Sequence, residues 1–190
     1  PAYSFCFFFV IYFRQRNGRR ESEMAGDCKL FICIALCHIL VSYFVNRVPY
    51  RTLASLRLRT VPYKKEKEIY EKVFHIKAWK DYVPSAGPFD KKVMKGNGAE
   101  YLSLFILETV RAEAAHIICL LVTFLVLLVY DQPYGLFIPA FFIMINVPCI
   151  MIQRYNRPRL ENVLRMHGYD LVVPEDEESF TRRLLMLRKR

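Results

Sequence analysis

Two long apolar runs, joined by a very short connection, constrain this chain more than any other feature. Residues 114–130 and 135–152 are apolar almost throughout. Each run is long enough to cross the hydrocarbon layer of a membrane as a helix. The connection between them, residues 131–134 (DQPY), is rich in turn formers and too short for a third element. The sequence therefore predicts a hairpin of two antiparallel membrane helices.

A third apolar run, residues 30–45, is close to the minimum length for a span and predicts a further transmembrane helix. Pro139 and Pro148 predict a kink or a break in the last span. We therefore predict an all-α integral membrane protein with about three transmembrane helices. The chain length favours one functional unit. We place that unit at residues 24–168, with a charged C-terminal tail at residues 169–190.

The chain carries a formal net charge of +10, and its basic residues are segregated along the sequence. Residues 46–80 carry ten Lys and Arg side chains and residues 154–190 carry nine, whereas residues 131–134 carry none. The positive-inside rule then predicts that the hairpin tip is extracytoplasmic and that both basic segments are cytoplasmic. In a chain with membrane spans, this charge favours anionic lipids as partners over nucleic acid, for which no recognition motif is present.

Residues 1–23 differ in kind from the rest of the chain. Their apolar run is too short to span a membrane, and it is followed by the basic stretch RQRNGRR and then by an ordinary start, MAGDCKL, at Met24. These features predict either non-native sequence or a signal-like leader. The arginines of this stretch oppose an extracytoplasmic N-terminus, which an arrangement with three spans requires.

Residues 64–82 combine apolar and basic side chains at helical spacing. The apolar members of this pattern are Ile69, Tyr70, Val73, Phe74 and Ile76, and they recur among six lysines. The pattern predicts an amphipathic helix that lies at the membrane surface, with Trp79 at the level of the lipid headgroups.

Ionisable residues at the basic end of the hairpin are the sharpest candidates for chemistry. These residues are Glu108, Arg111, Glu113 and His116. Ionisable groups at a membrane boundary cost free energy unless they are paired or have a role in function. Glu113 and His116 are one helical turn apart, and so are Glu108 and Arg111. The first pair predicts a carboxylate that orients a general base, His116. The alternative is that both pairs are ion pairs that satisfy buried charges between helices.

A metal site is a third interpretation of the same residues, because Glu-x-x-His is a ligand spacing of di-iron helical bundles. Those sites need the motif twice with further carboxylates, and it occurs once here. Cys33 and Cys37 are four residues apart but lack the second ligand pair of a zinc site. We therefore predict no bound metal.

A second candidate site directly follows the last apolar run. Its members are Gln153, Arg154, Tyr155, Asn156, Arg157 and Arg159, with Pro158 among them. Guanidinium groups suit phosphate and carboxylate ligands, so we predict a substrate-binding site. The alternative is a basic flank held by anionic headgroups. Asn146, inside the last span, needs a partner and either faces the same cavity or forms a hydrogen bond with another helix.

Three stretches of the chain together form a recognisable pattern: residues 74–81 (FHIKAWKD), residues 108–116 (ETVRAEAAH) and residues 146–160 (NVPCIMIQRYNRPRL). They resemble, in this order, the glycosyl-4,4'-diaponeurosporenoate acyltransferase family, and QRYNRPRL is the most specific part. The resemblance implies a bacterial, membrane-bound enzyme that transfers a fatty acyl group to a glucose hydroxyl in staphyloxanthin-type carotenoid biosynthesis. Other glycolipid acceptors stay open, so the reaction type is more secure than the acceptor.

We expect a fatty acyl thioester as donor, with acyl-CoA as the co-substrate and no bound cofactor. We expect His116, oriented by Glu113, to take the proton from a sugar hydroxyl. Asn146 or Arg154 would stabilise the developing oxyanion. The phosphates of CoA would be held by Lys77, Lys80, Arg157 and Arg159. The substrate site would be completed by Trp79, Gln153, Tyr155 and Asn156.

Because no serine or cysteine stands next to a base in the sequence, we expect direct transfer without an acyl-enzyme. The expected partners are membrane lipids, the glycolipid acceptor and the acyl donor, and the oligomeric state stays open. The rival function is a non-catalytic membrane subunit that binds lipid or takes part in assembly. In a structural subunit His116, Glu113 and Arg154 would be paired off separately, whereas in an enzyme they would converge on one cavity.

Overall fold

The computed structural model describes residues 21–56, 63–83, 98–129 and 137–174. These residues form helices and their connections, and no strand occurs among them. The predicted hairpin tip, residues 131–134, lies outside the described residues, as do residues 1–20 of the predicted leader.

The described residues contain six α-helices. In chain order they are α1 (Glu21–Val45), α2 (Tyr50–Ser55), α3 (Tyr63–Glu68), α4 (Ile76–Trp79), α5 (Ala99–Val129) and α6 (Phe137–Met166). Three segments of α1, α5 and α6 are long and apolar enough to cross a membrane, namely Gly26–Val45, Ala99–Val126 and Phe137–Met166. The predicted all-α class with three candidate spans is therefore confirmed.

The helices α5 and α6 lie antiparallel and form the most extensive contact between helices. Thr109 of α5 is hydrogen-bonded to Arg157 of α6, and His116 of α5 to Asn146 of α6. Residue numbers therefore rise along one helix as they fall along the other. The antiparallel pairing of the two strongest predicted spans is confirmed.

The helix α1 packs across this pair. Near its N-terminal end, Leu30 and Ile34 pack against Ile138 and Phe142 of α6. Just beyond its C-terminal end, the carbonyl of Asn46 accepts a hydrogen bond from Arg111 of α5. The helix therefore runs antiparallel to α5, and its two ends lie at opposite ends of the bundle.

Large apolar side chains remain exposed on the outer faces of all three long helices. Examples are Ile39 and Phe44 of α1, Leu125 of α5, and Met144 and Ile145 of α6. Exposed apolar surface of this extent is rare in soluble monomers. On candidate membrane spans it is the surface that faces lipid hydrocarbon.

The helix α6 continues through Pro148 and Pro158 to Met166, so the last span has no break at its prolines, and the alternative of a kink stays a prediction. A proline removes one backbone donor, but packing against a neighbouring helix tolerates this loss in a membrane. Pro158 is buried in this way. Consequently, the arginines that were expected to follow the span project from the same helix as Asn146.

Residues 63–83, which we call the interfacial segment, are not the single amphipathic helix predicted from the sequence. The helix α3 passes into a π-helical turn at Ile69–Val73, and the chain then breaks at His75 before α4 begins. His75 has a φ of 46°, which lies in the left-handed region. Periodicity of apolar residues does not encode such a break, and the prediction of one continuous helix is wrong.

The interfacial segment is fixed to α6. Ile76 is fully buried and packs against Ile152 and Tyr155 of α6, with Trp79 at the edge of this contact. Ile152 is the last residue of the apolar run of α6, and Arg154 follows it closely. The segment therefore lies at the level where the span changes from apolar to charged.

The helix α6 ends in a left-handed glycine turn. Gly168 has a φ of 71°, and the N–H of Tyr169 donates to the carbonyl of Leu164 at 3.1 Å. This pattern is a Schellman motif, which satisfies carbonyls at the end of a helix. The chain then returns to α5, where the N–H of Val172 donates to Oγ of Ser103 at 2.9 Å. The described start of the charged tail is thus packed against the bundle.

Gly168→Ala should lower the free energy of unfolding by about 1–2 kcal/mol, because a Cβ is disfavoured in the left-handed region. A Cβ at this position meets no atom within 4 Å, so the loss would come from the backbone alone. Gly168→Asn is the matched control, since asparagine tolerates this conformation better. Unfolding of the purified protein in detergent measures both variants. Equal stability of Gly168→Ala and the parent would contradict the turn.

Candidate functional site

The contact between α5 and α6 contains a row of polar side chains, which we call the α5–α6 seam. Its members are Thr109, Glu113 and His116 on α5 and Asn146, Arg154 and Arg157 on α6. At 3.6 residues per turn, positions 109, 113 and 116 share one face of α5, and positions 146 and 157 share one face of α6. The sequence predicted most of these residues, and the structure places them along one helix contact in two hydrogen-bonded groups, Glu113 with Arg154 and Arg157, and His116 with Asn146.

Glu113 is the centre of the seam and is completely buried, with 0% of its surface exposed. Its Oε1 accepts a hydrogen bond from Nε of Arg154 at 2.6 Å, and its Oε2 accepts one from Nη2 of Arg157. A buried carboxylate is costly unless it is paired and hydrogen-bonded. Two guanidinium groups on one carboxylate meet that requirement.

Arg157 is turned inward and does not offer its guanidinium group to the surface. It is 5% exposed, and its Nε donates to Oγ1 of Thr109 at 3.1 Å. Its Nη2 also donates to the carbonyl of Thr109 at 3.3 Å. The expectation that Arg157 holds a phosphate is therefore wrong, because this side chain is committed to Glu113 and Thr109. For Arg157 the ion-pair interpretation prevails.

Arg154 keeps 22% of its side chain exposed and joins the seam to the interfacial segment. It forms a side-chain hydrogen bond with Tyr70, and it lies within electrostatic reach of Glu66. Burial raises the pKa of the Tyr70 hydroxyl. Tyr70 was predicted only as part of an apolar face, and its polar role was missed.

Sequence reasoning also missed Glu66. This carboxylate is buried although it stands among three lysines of α3, which made it look like part of a solvated surface. The signal that was available is its spacing from Tyr70, which places both on one face of a helix. Together Glu66 and Glu113 balance the charges of Arg154 and Arg157.

His116 is held by Asn146 and not by Glu113. Its Nδ1 lies 2.8 Å from Oδ1 of Asn146, and Nδ2 of Asn146 donates to the carbonyl of Phe142 at 2.7 Å. Because the amide donates through its nitrogen to that carbonyl, its oxygen must accept from His116. Nδ1 of His116 therefore carries a hydrogen, and in the neutral ring the lone pair lies on Nε2. The predicted Glu113–His116 pair is wrong, since both oxygens of Glu113 are bound by arginines.

The predicted pair of Glu108 and Arg111 is present, with Nε of Arg111 3.3 Å from Oε1 of Glu108. It lies on the opposite face of α5 from Glu113. The hydroxyl of Tyr50 donates to Oε1 of Glu108 at 2.7 Å, and Arg111 lies over the Tyr50 ring at 4.6 Å. The structure therefore separates Glu108 and Arg111 from His116, and their predicted catalytic role is not supported by their position.

A second polar cluster joins α6 to the interfacial segment. The hydroxyl of Tyr155 donates to Oε1 of Glu71 at 3.0 Å, and Nζ of Lys77 lies 3.0 Å from Oε2 of the same carboxylate. The hydrogen bond from Lys77 lowers the pKa of Glu71. Arg159 is exposed, with its guanidinium carbon 5.1 Å from the centre of the Tyr155 ring.

The remaining predicted substrate-binding residues lie around these two clusters. Nζ of Lys80 lies 2.6 Å from Oδ1 of Asp81. Nε1 of Trp79 donates to the carbonyl of Phe74 at 2.9 Å. Gln153 and Asn156 are half-buried on α6. Of the predicted phosphate-binding residues, Lys77 and Arg159 remain exposed at the surface.

A third polar contact lies deeper in the bundle and joins α1 to α5. Nε2 of His38 lies 3.1 Å from both the carbonyl of Cys119 and Oγ1 of Thr123. His38 is therefore a packed polar group between these two helices. Among the described residues, no group of three His, Cys, Asp or Glu side chains converges as metal ligands.

The fold and the seam together define the class: an all-helical membrane protein with a histidine held in one tautomer between two spans. Comparison with known proteins then gives the family. Residues 49–166 match the family described as glycosyl-4,4'-diaponeurosporenoate acyltransferase. The chain belongs to this family, as the resemblance of its three sequence stretches predicted.

Two curated relatives carry the same name. The protein from Staphylococcus haemolyticus (strain JCSC1435) is 32% identical over 64% of this chain and 70% of its own length. The protein from Staphylococcus aureus (strain N315) is 30% identical over 80% of this chain and 94% of its own length. No solved structure matches the chain.

Glu113→Gln should lower the free energy of unfolding by about 3–5 kcal/mol, because it leaves the buried guanidinium group of Arg157 and the half-buried one of Arg154 with a weakened partner. The matched control is Glu100→Gln, which removes an exposed carboxylate from the first turn of the same helix. Thermal unfolding in detergent compares the two variants. If Glu113→Gln unfolded no earlier than Glu100→Gln, the carboxylate would not be the buried centre described here.

Proposed function

We propose that this protein transfers a fatty acyl group from a thioester to a hydroxyl of a membrane glycolipid, with His116 as the general base. The observation that carries this proposal is the orientation of the His116 ring by Asn146. Membership of a family whose curated relatives are named glycosyl-4,4'-diaponeurosporenoate acyltransferase supports the reaction type. Those names favour a glycosylated diaponeurosporenoate as acceptor.

The chemistry follows from the lone pair on Nε2 of His116. This atom takes the proton of the acceptor hydroxyl while the hydroxyl oxygen attacks the thioester carbonyl, and a new C–O bond forms. The C–S bond then breaks, and the protonated imidazole gives the same proton to the leaving sulfur. The histidine ends neutral, and the products are an ester and a free thiol. No covalent acyl-enzyme is required.

The developing oxyanion needs a positive or hydrogen-bonding group close to the base. Asn146 is occupied in holding His116 and fixing its own orientation. Arg154 is the better candidate, because it lies about two helical turns from Asn146 along α6 and part of its side chain remains exposed. Its contact with Glu113 holds that group in place.

We propose acyl-CoA as the donor, with exposed cations on the basic side holding its phosphates. Lys77 and Arg159 are the candidates that remain at the surface. This places the phosphates beside Tyr155 and leads the thioester toward the seam. The acyl chain then stays in the hydrocarbon layer, along the exposed apolar faces of the helices.

His116→Gln should lower turnover by about a hundredfold to ten-thousandfold, the usual contribution of a general base. Asn146→Leu should cause a smaller loss, because it removes the group that orients the ring and leaves the proton acceptor. His167→Gln, at an exposed position in the turn that follows α6, is the matched control. Acylation of glycolipid by purified protein in bilayers measures all three. Near-normal turnover of His116→Gln would refute His116 as the general base, and the ring would then serve only to join α5 to α6.

For topology, we propose that the connection at residues 131–134 is extracytoplasmic and that Arg159 is cytoplasmic, from the asymmetry of basic residues. Cysteines introduced at Gln132 and at Arg159 report on this arrangement, with the parent protein as the background for its own cysteines. In intact cells an impermeant thiol reagent should label the first and spare the second. The reverse pattern would place the seam on the other side of the membrane.

A further inference from the structure

We infer that the interfacial segment is a docking surface for anionic phospholipid headgroups, with three lysines for the phosphates and three apolar side chains for the acyl boundary. The lysines are Lys64, Lys65 and Lys67. The apolar side chains are Ile69, Val73 and Phe74. This inference is independent of the acyl transfer proposed above, because it concerns a surface and not the seam.

The apolar part of this surface is exposed where a soluble protein would bury it. Ile69 is 43% exposed, Val73 66% and Phe74 46%. Ile69 and Val73 are four residues apart and lie next to each other on the outer side of the segment. The inner side is occupied by Tyr70 and Ile76, which contact α6. The outer residues therefore have no partner among the described residues of the bundle that would explain their apolar character.

The lysines of the segment divide into those that form an ion pair within the protein and those that do not. Lys72 pairs with Glu68, Lys77 with Glu71 and Lys80 with Asp81, so these lysines are largely compensated within the protein. Lys64, Lys65 and Lys67 are exposed and form no ion pair with any described residue. Three exposed cations without an ion pair among the described residues, beside exposed apolar groups, match the polar and apolar layers at the edge of an anionic membrane.

The depth of the segment fits this partner. Ile76 packs on Ile152, where the apolar run of α6 ends, and Arg154 reaches Tyr70 from the next turn. The segment is thus held at the boundary between hydrocarbon and headgroups by α6 itself. Because lysines and apolar residues are interleaved at that depth, a lipid surface explains the pattern better than an acidic soluble protein, which would match the lysines alone.

Trp79 is the only tryptophan of the chain and reports on this boundary directly. The full-length protein is placed in bilayers of phosphatidylcholine, with and without phosphatidylglycerol. Quenching of Trp79 by lipids brominated at shallow positions and hydrogen exchange of residues 63–79 are then measured. Phosphatidylglycerol should increase both the quenching and the protection from exchange, and high salt should reverse the increase.

Two variants separate the contribution of the lysines from that of the apolar side chains. Lys64→Gln with Lys65→Gln and Lys67→Gln should reduce the protection gained from phosphatidylglycerol by about fivefold per lysine. Val73→Ser with Phe74→Ser should reduce Trp79 quenching in both lipid mixtures. Lys29→Gln is the matched control, because Lys29 is exposed at the opposite end of the bundle. It should leave both signals unchanged.

Identical Trp79 quenching and exchange in the two lipid mixtures would overturn the inference. So would a full response to phosphatidylglycerol in the variant without the three lysines. Protection of residues 63–79 by an acidic carrier protein in pure phosphatidylcholine, without any response to phosphatidylglycerol, would assign the surface to a protein partner instead. None of these readouts depends on acyl transfer, so failure here leaves the proposed function to its own test.

Discussion

The structure depends on one buried carboxylate, Glu113, which two arginines share. A carboxylate without water is tolerated only where cations and hydrogen bonds replace the lost solvation. Arg154 and Arg157 reach it from α6 only when α5 and α6 stand in one register. That register also brings His116 opposite Asn146. The ion pairs thus fix the register of α5 and α6, and this register places His116 within hydrogen-bonding distance of Asn146.

The same rule governs the other polar groups inside the bundle. In a hydrocarbon layer each polar side chain must find its partner on a neighbouring helix. The partners of His38 are the carbonyl of Cys119 and the hydroxyl of Thr123, so this contact joins α1 to α5. The partner of Asn146 is His116. These contacts fix three helices in place although apolar packing between helices has little driving force in lipid.

The sequence predicted the helices better than it predicted their partners. Apolar runs identify spans because their length and composition are read directly, so all three were found. Their ends were misjudged: α6 extends to Met166 because arginines and prolines at its polar end are accommodated within the helix. The break at His75 was missed because a left-handed residue that is not glycine leaves no pattern in hydrophobic spacing.

Residue spacing along one helix indicates which side chains share a face, but it does not reveal what approaches that face. Glu113 and His116 do share a face, yet each is bound by a different residue of α6. Asn146 was predicted either to face the substrate cavity or to form a hydrogen bond with another helix, and the hydrogen bond to His116 agrees with the second alternative. Glu66 was missed because a glutamate among lysines looks solvated until a guanidinium group from another helix is placed beside it.

The sequence predicted a carboxylate beside His116, and the structure has the amide of Asn146 there. This difference matters for the proposed chemistry. A carboxylate would hold the protonated imidazole strongly as an ion pair in a medium of low dielectric constant. The neutral amide of Asn146 orients the ring without that hold. A proton taken from a hydroxyl can then pass to the leaving sulfur instead of remaining on the histidine. The buried charges pair with one another at Glu113, Arg154 and Arg157. His116, which must gain and lose a proton, forms its hydrogen bond with a neutral group instead.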